Sequence, residues 1–257
     1  MSYKQSTAIM IITMRTTAVN DKISYKMKNL LIGLLISMII TSCCVYHPQT
    51  VDIPLIKHKH DLRIDAGISI IPTANATISY GLTNKIAIQG FGTIENEDGY
   101  YLQIAPGLYK NFKNQTIGEL YAGFGFGYGD AHRDATFGNL FGNYQIYFVQ
   151  FNFGRHDSKF LKMDYGVGLK TGFFHSNLTD QNYYRWYSEN GPFASYDEKS
   201  ILVEPLAFAR FGGEKIKFSI KVGICRIFKI TNTDKYIPTQ ILNVGLGLNY
   251  SLKGKTD

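Results

Sequence analysis

The chain has 257 residues, a length that allows either one large all-β domain or two smaller domains. Eighteen Tyr, seventeen Phe and 25 Gly stand against one Trp and seven Pro, and this mixture is typical of pleated strands, not of helical solenoids or coiled coils. The formal net charge of +7 falls to +3 if the residues before Cys43 are removed, and the remaining basic residues are scattered without a Lys/Arg-rich run, so nucleic-acid binding is not expected.

The first predicted element is a secretory signal peptide with an apolar helix. From Met27 the chain has a basic start at Lys28, an uncharged apolar run from Leu30 to Ile40, and small residues before a cysteine, which is the layout of such a signal. A membrane-spanning helix would need about 20 apolar residues, and the uncharged stretch from Leu30 to Val45 is shorter. Residues 1–26 precede this complete signal, so the true start of translation, at their first residue or at Met27, stays open.

The end of the apolar run, Ile40-Thr41-Ser42-Cys43, resembles the lipobox of bacterial lipoproteins. The resemblance implies that residues 1–42 are removed and that Cys43 becomes the new N-terminus, carrying lipid with acyl chains such as palmitate. Residues 43–60 are then expected to form a flexible lipidated stalk. The rest of the chain, residues 61–257, is expected to be a β-barrel domain.

From residue 61 onward, segments of alternating polarity are separated by polar connections, which is the repeated signature of transmembrane strands. This pattern predicts an all-β fold, an antiparallel up-and-down membrane barrel of about eight to ten strands. The predicted strands cover residues 61–70, 74–82, 85–94, 100–110, 117–128, 143–154, 160–174, 200–211, 215–228 and 240–252.

The two faces of these strands differ, because successive side chains of a strand point to opposite sides of its sheet. One face is apolar, as with Leu62, Ile64 and Ile68 in the first strand. The opposite face carries charges of both signs and glycines that leave room for long side chains. We predict that ten charged residues form a network in the barrel lumen: Arg63, Asp65, Glu119, Lys162, Asp164, Lys170, Glu204, Arg210, Lys217 and Lys221.

A soluble barrel shows the same alternation with its apolar face inward, so periodicity alone does not decide between the two. The connections favour a membrane barrel, because short and longer links alternate, as tight periplasmic turns and extended outer loops do. With an even number of strands, the first and last strands begin and end on the short-turn side. A lipid on Cys43 would then reach the inner leaflet of the bacterial outer membrane, with the N-terminus in the periplasm.

Residues 61–252 resemble small outer-membrane barrels of the outer-membrane protein A type, in architecture only. Two prolines, Pro106 and Pro205, lie inside predicted strands. Because proline lacks the N–H that the strand ladder needs, we expect either bulges or a different placement of the strands at these positions.

The fragment His175-Ser176-Asn177 is similar to the His-x-Ser-Asn strand motif of barrel-shaped lipid A deacylases, except that the intervening residue is absent. Adjacent residues of a strand point to opposite faces, so His175 and Ser176 are not expected to form the catalytic hydrogen bond. His58 and His60 share one side of an extended chain but lack further ligands for a metal. No catalytic residue and no metal site is therefore assigned.

The longest predicted connection runs over residues 175–199 and contains Tyr183, Tyr184, Arg185, Trp186 and Tyr187. Aromatic and Arg side chains dominate binding hot spots, so this loop is a candidate for contact with an extracellular ligand or an envelope protein. Alternatively, the loop folds on itself or places its aromatic rings among the lipid headgroups.

Four hypotheses for function remain. The leading one is a lipid-anchored outer-membrane barrel with a structural or loop-mediated recognition role, monomeric, without enzymatic activity or cofactor, and with outer-membrane lipid around it. The alternatives are a narrow porin-like channel, a lipid A deacylase-like esterase, and a soluble periplasmic ligand-binding barrel tethered by lipid. At this strand number the lumen is normally filled by side chains, which favours the first hypothesis over the channel.

Overall fold

The computed structural model describes residues 44–70, 73–95, 99–132, 139–158, 163–181, 193–231, 237 and 239–254. The predicted signal helix lies outside these ranges. The described residues form the strands β1 (Leu62–Ser69), β2 (Thr73–Gly81), β3 (Ile86–Glu95), β4 (Tyr100–Asn111), β5 (Thr116–His132), β6 (Asn139–Ser158), β7 (Met163–Gln181), β8 (Phe193–Gly212), β9 (Ile216–Ile224), β10 (Arg226–Lys229) and β11 (Leu242–Leu252). In the same ranges, no helix is both long and apolar enough to cross a membrane.

The strands form one closed antiparallel barrel. Each strand from β1 to β8 pairs with the next one along the chain, β11 pairs with both β1 and β9, and β9 pairs with β8 to close the ring. β9 and β10 share one register on β8 and are two parts of a single strand interrupted at Cys225. The barrel therefore has ten strands, and the predicted all-β up-and-down architecture is confirmed.

The barrel has two different rims. The short-turn rim carries the β2–β3, β4–β5, β6–β7 and β8–β9 turns, together with the start of β1 and the end of β11. The long-loop rim carries the ends of β1, β3, β5, β7 and β10 and the start of the strand that follows each of them, where the longer connections begin and end.

The predicted loop over residues 175–199 is too long. β7 and β8 stay paired as far as Gln181 and Phe193, so residues 175–181 and 193–199 belong to the two strands. On the outer face of this part of β7 the residues Asn177 and Thr179 are polar, while Ser176 and Leu178 stay buried inside. Where a hairpin extends beyond the hydrocarbon region its outer face meets water, so the alternation of apolar and polar residues is lost.

The two prolines interrupt the strand ladder without producing bulges. Pairs before and after Pro106 belong to one register of β4 and β5. Pro205 lies on β8 beside the break at Cys225, and the pairs on both sides of this break also share one register. The expected bulges are therefore wrong at both positions, because the barrel tolerates a local gap in pairing while its register is held on either side.

Apolar side chains point outward from every strand of the barrel. Ile94, Ile68 and Leu248 are 66%, 64% and 61% exposed, respectively. Water-soluble proteins rarely expose contiguous apolar patches larger than a few hundred Å², whereas a wall of this kind is what a barrel presents to lipid. The chain thus has an outer-membrane-type β-barrel fold, with its apolar face outside and its charged face inside.

Candidate functional site

The lumen of the barrel contains the chain's own N-terminal segment. Residues 44–56, termed the lumen segment, are all buried. The amides of Asp52 and Ile56 and the Tyr46 hydroxyl donate hydrogen bonds to side chains on β2, β5 and β8, respectively. The prediction of a flexible stalk over residues 43–60 is therefore wrong for the lumen segment, because its polar and apolar groups find their partners inside the barrel.

The amino end of the lumen segment lies at the long-loop rim. His47 Nδ1 is 3.0 Å from Oε1 of Glu95, the last residue of β3. Tyr46 forms a β-bridge with Thr239 in the connection before β11, and its carbonyl oxygen accepts a hydrogen bond from the Gln240 amide at 3.1 Å. The expectation that this end lies beside the short turns is therefore wrong.

The carboxyl end of the lumen segment leads out at the short-turn rim. Asn111 Nδ2 donates to the carbonyl oxygen of Lys57 at 2.6 Å, and the His60 amide donates to the carbonyl oxygen of Gly81 at 2.7 Å. The Asp61 carboxylate accepts a hydrogen bond from the Lys57 amide at 3.0 Å. These bonds fix the turn into β1, so the segment crosses the barrel from one rim to the other.

Near the long-loop rim, Tyr46 inserts into an aromatic cluster. Its ring centroid lies 5.4 Å from that of Phe174, 5.5 Å from that of Tyr144 and 6.4 Å from that of Tyr101, each in an edge-to-face arrangement. Such pairs contribute about 0.5–1.5 kcal/mol beyond their buried area. The Tyr46 hydroxyl donates to Glu204 Oε2 at 3.0 Å, so ring packing and a carboxylate acceptor hold the same side chain.

Glu204 connects this cluster to a buried lysine. Lys170 Nζ lies 3.8 Å from Glu204 Oε2 and donates to Gln103 Oε1 at 3.0 Å and to the Tyr101 hydroxyl at 3.3 Å. Both Lys170 and Glu204 are fully buried. An uncompensated buried ion costs several kcal/mol, so the pair and its hydrogen bonds are needed to keep these charges in the lumen.

In the middle of the lumen, the lumen segment supplies a charge to the wall. Arg210 Nη2 donates to Asp52 Oδ1 at 2.6 Å and also to the Ile53 carbonyl oxygen. Asn249 donates to the second oxygen of the Asp52 carboxylate at 3.1 Å. Arg210 is fully buried and its contact with Asp164 is longer, at 3.8 Å. Asp52 is therefore the closest compensation for this guanidinium.

Two wall carboxylates bind further cations. Lys217 Nζ donates to Asp164 Oδ1 at 2.7 Å, and Arg63 Nη1 lies 4.0 Å from Asp164 Oδ2. Lys221 pairs with Asp65. Opposite charges thus neutralise one another across the middle of the lumen, where a soluble barrel would have an apolar core.

Glycines of the inner wall allow the lumen segment to approach closely. A Cβ added at Gly245 would lie 2.9 Å from Thr50 Oγ1 and 3.2 Å from Thr50 Cβ, and one added at Gly223 would lie 3.3 Å from Pro48 Cβ. Inward glycines were expected to make room for Arg and Lys side chains. At these two positions they make room for a chain segment.

Nine of the ten charged residues predicted for the lumen are buried inside the barrel, which leaves Lys162 outside the described residues. Cys43 and the aromatic stretch Tyr183, Tyr184, Arg185, Trp186 and Tyr187 also lie outside them. Tyr46 and Asp52 were not predicted as lumen residues, because both fall within the predicted stalk. The available signal was the apolar composition of residues 51–56, which is unusual for a solvated linker.

His175 and Ser176 point to opposite sides of β7. Ser176 is fully buried, whereas His175 is partly exposed and its Nε2 lies 2.7 Å from Asp197 Oδ2. Among the described residues, no group of three or more His, Cys, Asp or Glu side chains is arranged to hold a metal ion.

No protein-family model matches the chain, and no curated protein is significantly similar to it in sequence. One similar solved structure is the N-terminal β-barrel domain of Pseudomonas aeruginosa OprF, at 15% identity and a TM-score of 0.31 over 76% of this chain and 98% of that one. Another is the KdgM porin in complex with disordered oligogalacturonate, at 11% identity and a TM-score of 0.35 over 75% of this chain and 99% of that one. At these values the assignment of the fold depends on strand pairing and register alone.

Proposed function

We propose that the chain is a monomeric, lipid-anchored barrel of the bacterial outer membrane, with its lipid on Cys43 and with a structural or recognition role. The observation that carries this proposal is the filled lumen, which holds the lumen segment from rim to rim. A barrel filled in this way acts through its outer wall and its loops, because it lacks the continuous aqueous passage that a channel needs.

The channel alternative is tested by conductance. The lumen is occupied by large side chains that are almost completely buried, among them Arg210, Lys170, Tyr101 and Tyr144. We therefore expect no stepwise conductance when the purified protein is inserted into planar bilayers. Insertion is verified separately by heat-modifiable gel migration of protein recovered from the same lipid. A stable ohmic conductance at each insertion would contradict the proposal and favour the narrow channel.

The apolar outer wall allows an experiment that distinguishes an integral barrel from a soluble barrel tethered by lipid. The variant Cys43→Ala removes the proposed anchor and leaves the apolar wall intact. We expect this variant to stay in the membrane fraction after carbonate and high-salt extraction and to keep its heat-modifiable migration. Release of the variant into the soluble fraction would support the tethered soluble barrel.

The recognition role is assigned to the connection over residues 182–192. β7 and β8 have 19 and 20 residues, whereas β1 to β4 have at most 12, so this hairpin is longer than the β1–β2 and β3–β4 hairpins. Its predicted aromatic cluster, including Arg185 and Trp186, is of the composition that binding surfaces use. An extracellular ligand or an envelope protein is the proposed partner.

No enzymatic activity is proposed. The esterase alternative needs His175 and Ser176 on one face of β7. Their opposite orientations support the interpretation that they belong to a polar strand end without a catalytic role. Purified protein is expected to release no fatty acid from lipopolysaccharide. A release that disappears in His175→Ala would contradict this proposal.

A further inference from the structure

The direction of the lumen segment has a consequence for the membrane anchor. His47 contacts the end of β3 at the long-loop rim, and Lys57 contacts the end of β4 at the short-turn rim. Between these two points the chain passes once through the barrel. The described chain therefore enters the barrel at the long-loop rim, although β1 begins at the opposite rim.

The segment is long enough for this crossing. It has thirteen residues, from Cys44 to Ile56, and an extended chain covers at most about 45 Å in thirteen residues. The apolar band of an outer-membrane barrel is about 25 Å tall. A single extended pass therefore reaches from one membrane surface to the other.

The described side chains fill the lumen, so the chain has no space to cross the barrel a second time and return. Tyr46 is enclosed by Tyr101, Tyr144 and Phe174, and the middle is closed by the Asp52–Arg210 pair. A segment returning to the short-turn side would have to displace these side chains. The amino end is thus kept on the side where it enters.

In outer-membrane barrels the short turns face the periplasm and the longer loops face outward. We propose that the chain is threaded through its own barrel, so that Cys43 presents its acyl chains to the outer leaflet at the cell-surface rim and not to the inner leaflet. This inference rests on the outer-membrane location and the lipidation of Cys43 proposed above. The partner of the anchor is then the lipid surface of the outer leaflet.

The main test compares the accessibility of two epitope tags on intact cells. One tag is inserted directly after Cys43, and the matched control carries the same tag between Gly213 and Glu214, in the exposed β8–β9 turn of the short-turn rim. We expect the N-terminal tag to bind antibody equally in intact and permeabilised cells. The control tag should bind about tenfold less in intact cells, because periplasmic turns are shielded by the membrane.

The outcomes separate this inference from the proposed function. An N-terminal tag that is labelled only after permeabilisation overturns the threading, while membrane retention of Cys43→Ala leaves the integral barrel standing. A control tag that is labelled on intact cells would reverse the assumed orientation and overturn the surface anchor. Metabolic labelling with an alkynyl palmitate, present in the wild type and absent in Cys43→Ala, tests the lipid independently.

A second measurement reports the threading without a tag that could disturb it. In a Cys44→Ser/Cys225→Ser background, the pair Thr50→Cys and Gly245→Cys places two Cβ atoms about 3.2 Å apart, near the spacing of a disulfide. Mild oxidation of the membrane-embedded protein is expected to cross-link this pair almost completely. The control pair Thr50→Cys and Gly213→Cys joins the segment to the exposed turn and should stay reduced. Absence of the first cross-link would overturn the threading.

Discussion

The outer wall and the lumen of this barrel are held together by different kinds of contact. On the outer wall, side chains such as Ile104 and Phe151 are more than half exposed and need only be apolar to meet lipid. In the lumen, Asp52 has Arg210 as a specific partner and Lys221 has Asp65. Substitutions within a residue class are therefore tolerated outside, whereas each lumen residue depends on the identity of its neighbour.

The largest expected effect breaks an interaction of the lumen. Asp52→Asn removes the nearest carboxylate from Arg210, and loss of one partner of a buried ion pair costs about 3–5 kcal/mol. We expect a decrease of this size in the free energy of unfolding, measured by guanidinium titration in phospholipid vesicles with far-ultraviolet circular dichroism.

The control for this prediction removes both charges. Asp52→Leu combined with Arg210→Met leaves no uncompensated ion, so the double variant should lose less stability than Asp52→Leu alone. If the stability losses of Asp52→Leu and Arg210→Met add up to that of the double variant, Asp52 and Arg210 do not stabilise each other specifically. The proposed difference between the lumen and the outer wall would then be wrong.

A second prediction introduces a charge on the outer wall. Ile104→Lys places a charge on the lipid face near the middle of β4, where a lysine costs about 2–4 kcal/mol. The same titration measures it, and Ile104→Leu serves as the matched control with a cost below about 1.5 kcal/mol. Tolerance of the lysine, with an effect within about 0.5 kcal/mol as on an ordinary wet surface, would show that this wall does not face lipid.

The barrel itself could be predicted because each strand is marked by a pattern in its own residues. Alternation of apolar and polar residues along each strand reports the two environments of the wall directly, so the ten strands and the inward side of Lys170 or Arg210 follow from the sequence. The ends of β7 and β8 could not be predicted in the same way. Beyond the membrane the outer face meets water and carries polar residues, so the alternation of apolar and polar residues that marks a strand disappears.

The lumen segment was missed because its contacts are non-local. An extended stretch of thirteen residues carries no periodic pattern that says where it will lie, and Tyr46 and Glu204 are 158 residues apart in the chain. One indirect signal existed. It was the apolar composition of residues 51–56, which is unusual for a solvated linker.

A third prediction concerns the hydrogen bond of Tyr46 in the aromatic cluster of the lumen. Tyr46→Phe keeps the ring and removes the hydrogen bond to Glu204, and hydrogen bonds to charged groups contribute about 1.5–3 kcal/mol. The variant should lose stability in that range. Tyr144→Phe is the matched control, because the Tyr144 hydroxyl has no hydrogen-bond partner among the described residues. Equal losses in both variants would mean that ring packing alone positions Tyr46.

The fourth prediction concerns a polar contact, between His175 and Asp197, that resembles the Asp52–Arg210 contact in distance but not in its exposure to solvent. His175 Nε2 lies 2.7 Å from Asp197 Oδ2, yet the two side chains are 34% and 54% exposed. Exposed pairs contribute at most about 1 kcal/mol and are screened by salt. His175→Ala should therefore change the free energy of unfolding by less than about 1 kcal/mol, and its coupling to Asp197→Ala should vanish in high salt. Since both pairs have nearly the same length, a coupling as large as that of Asp52 with Arg210 would mean that burial is not what makes the lumen contacts specific.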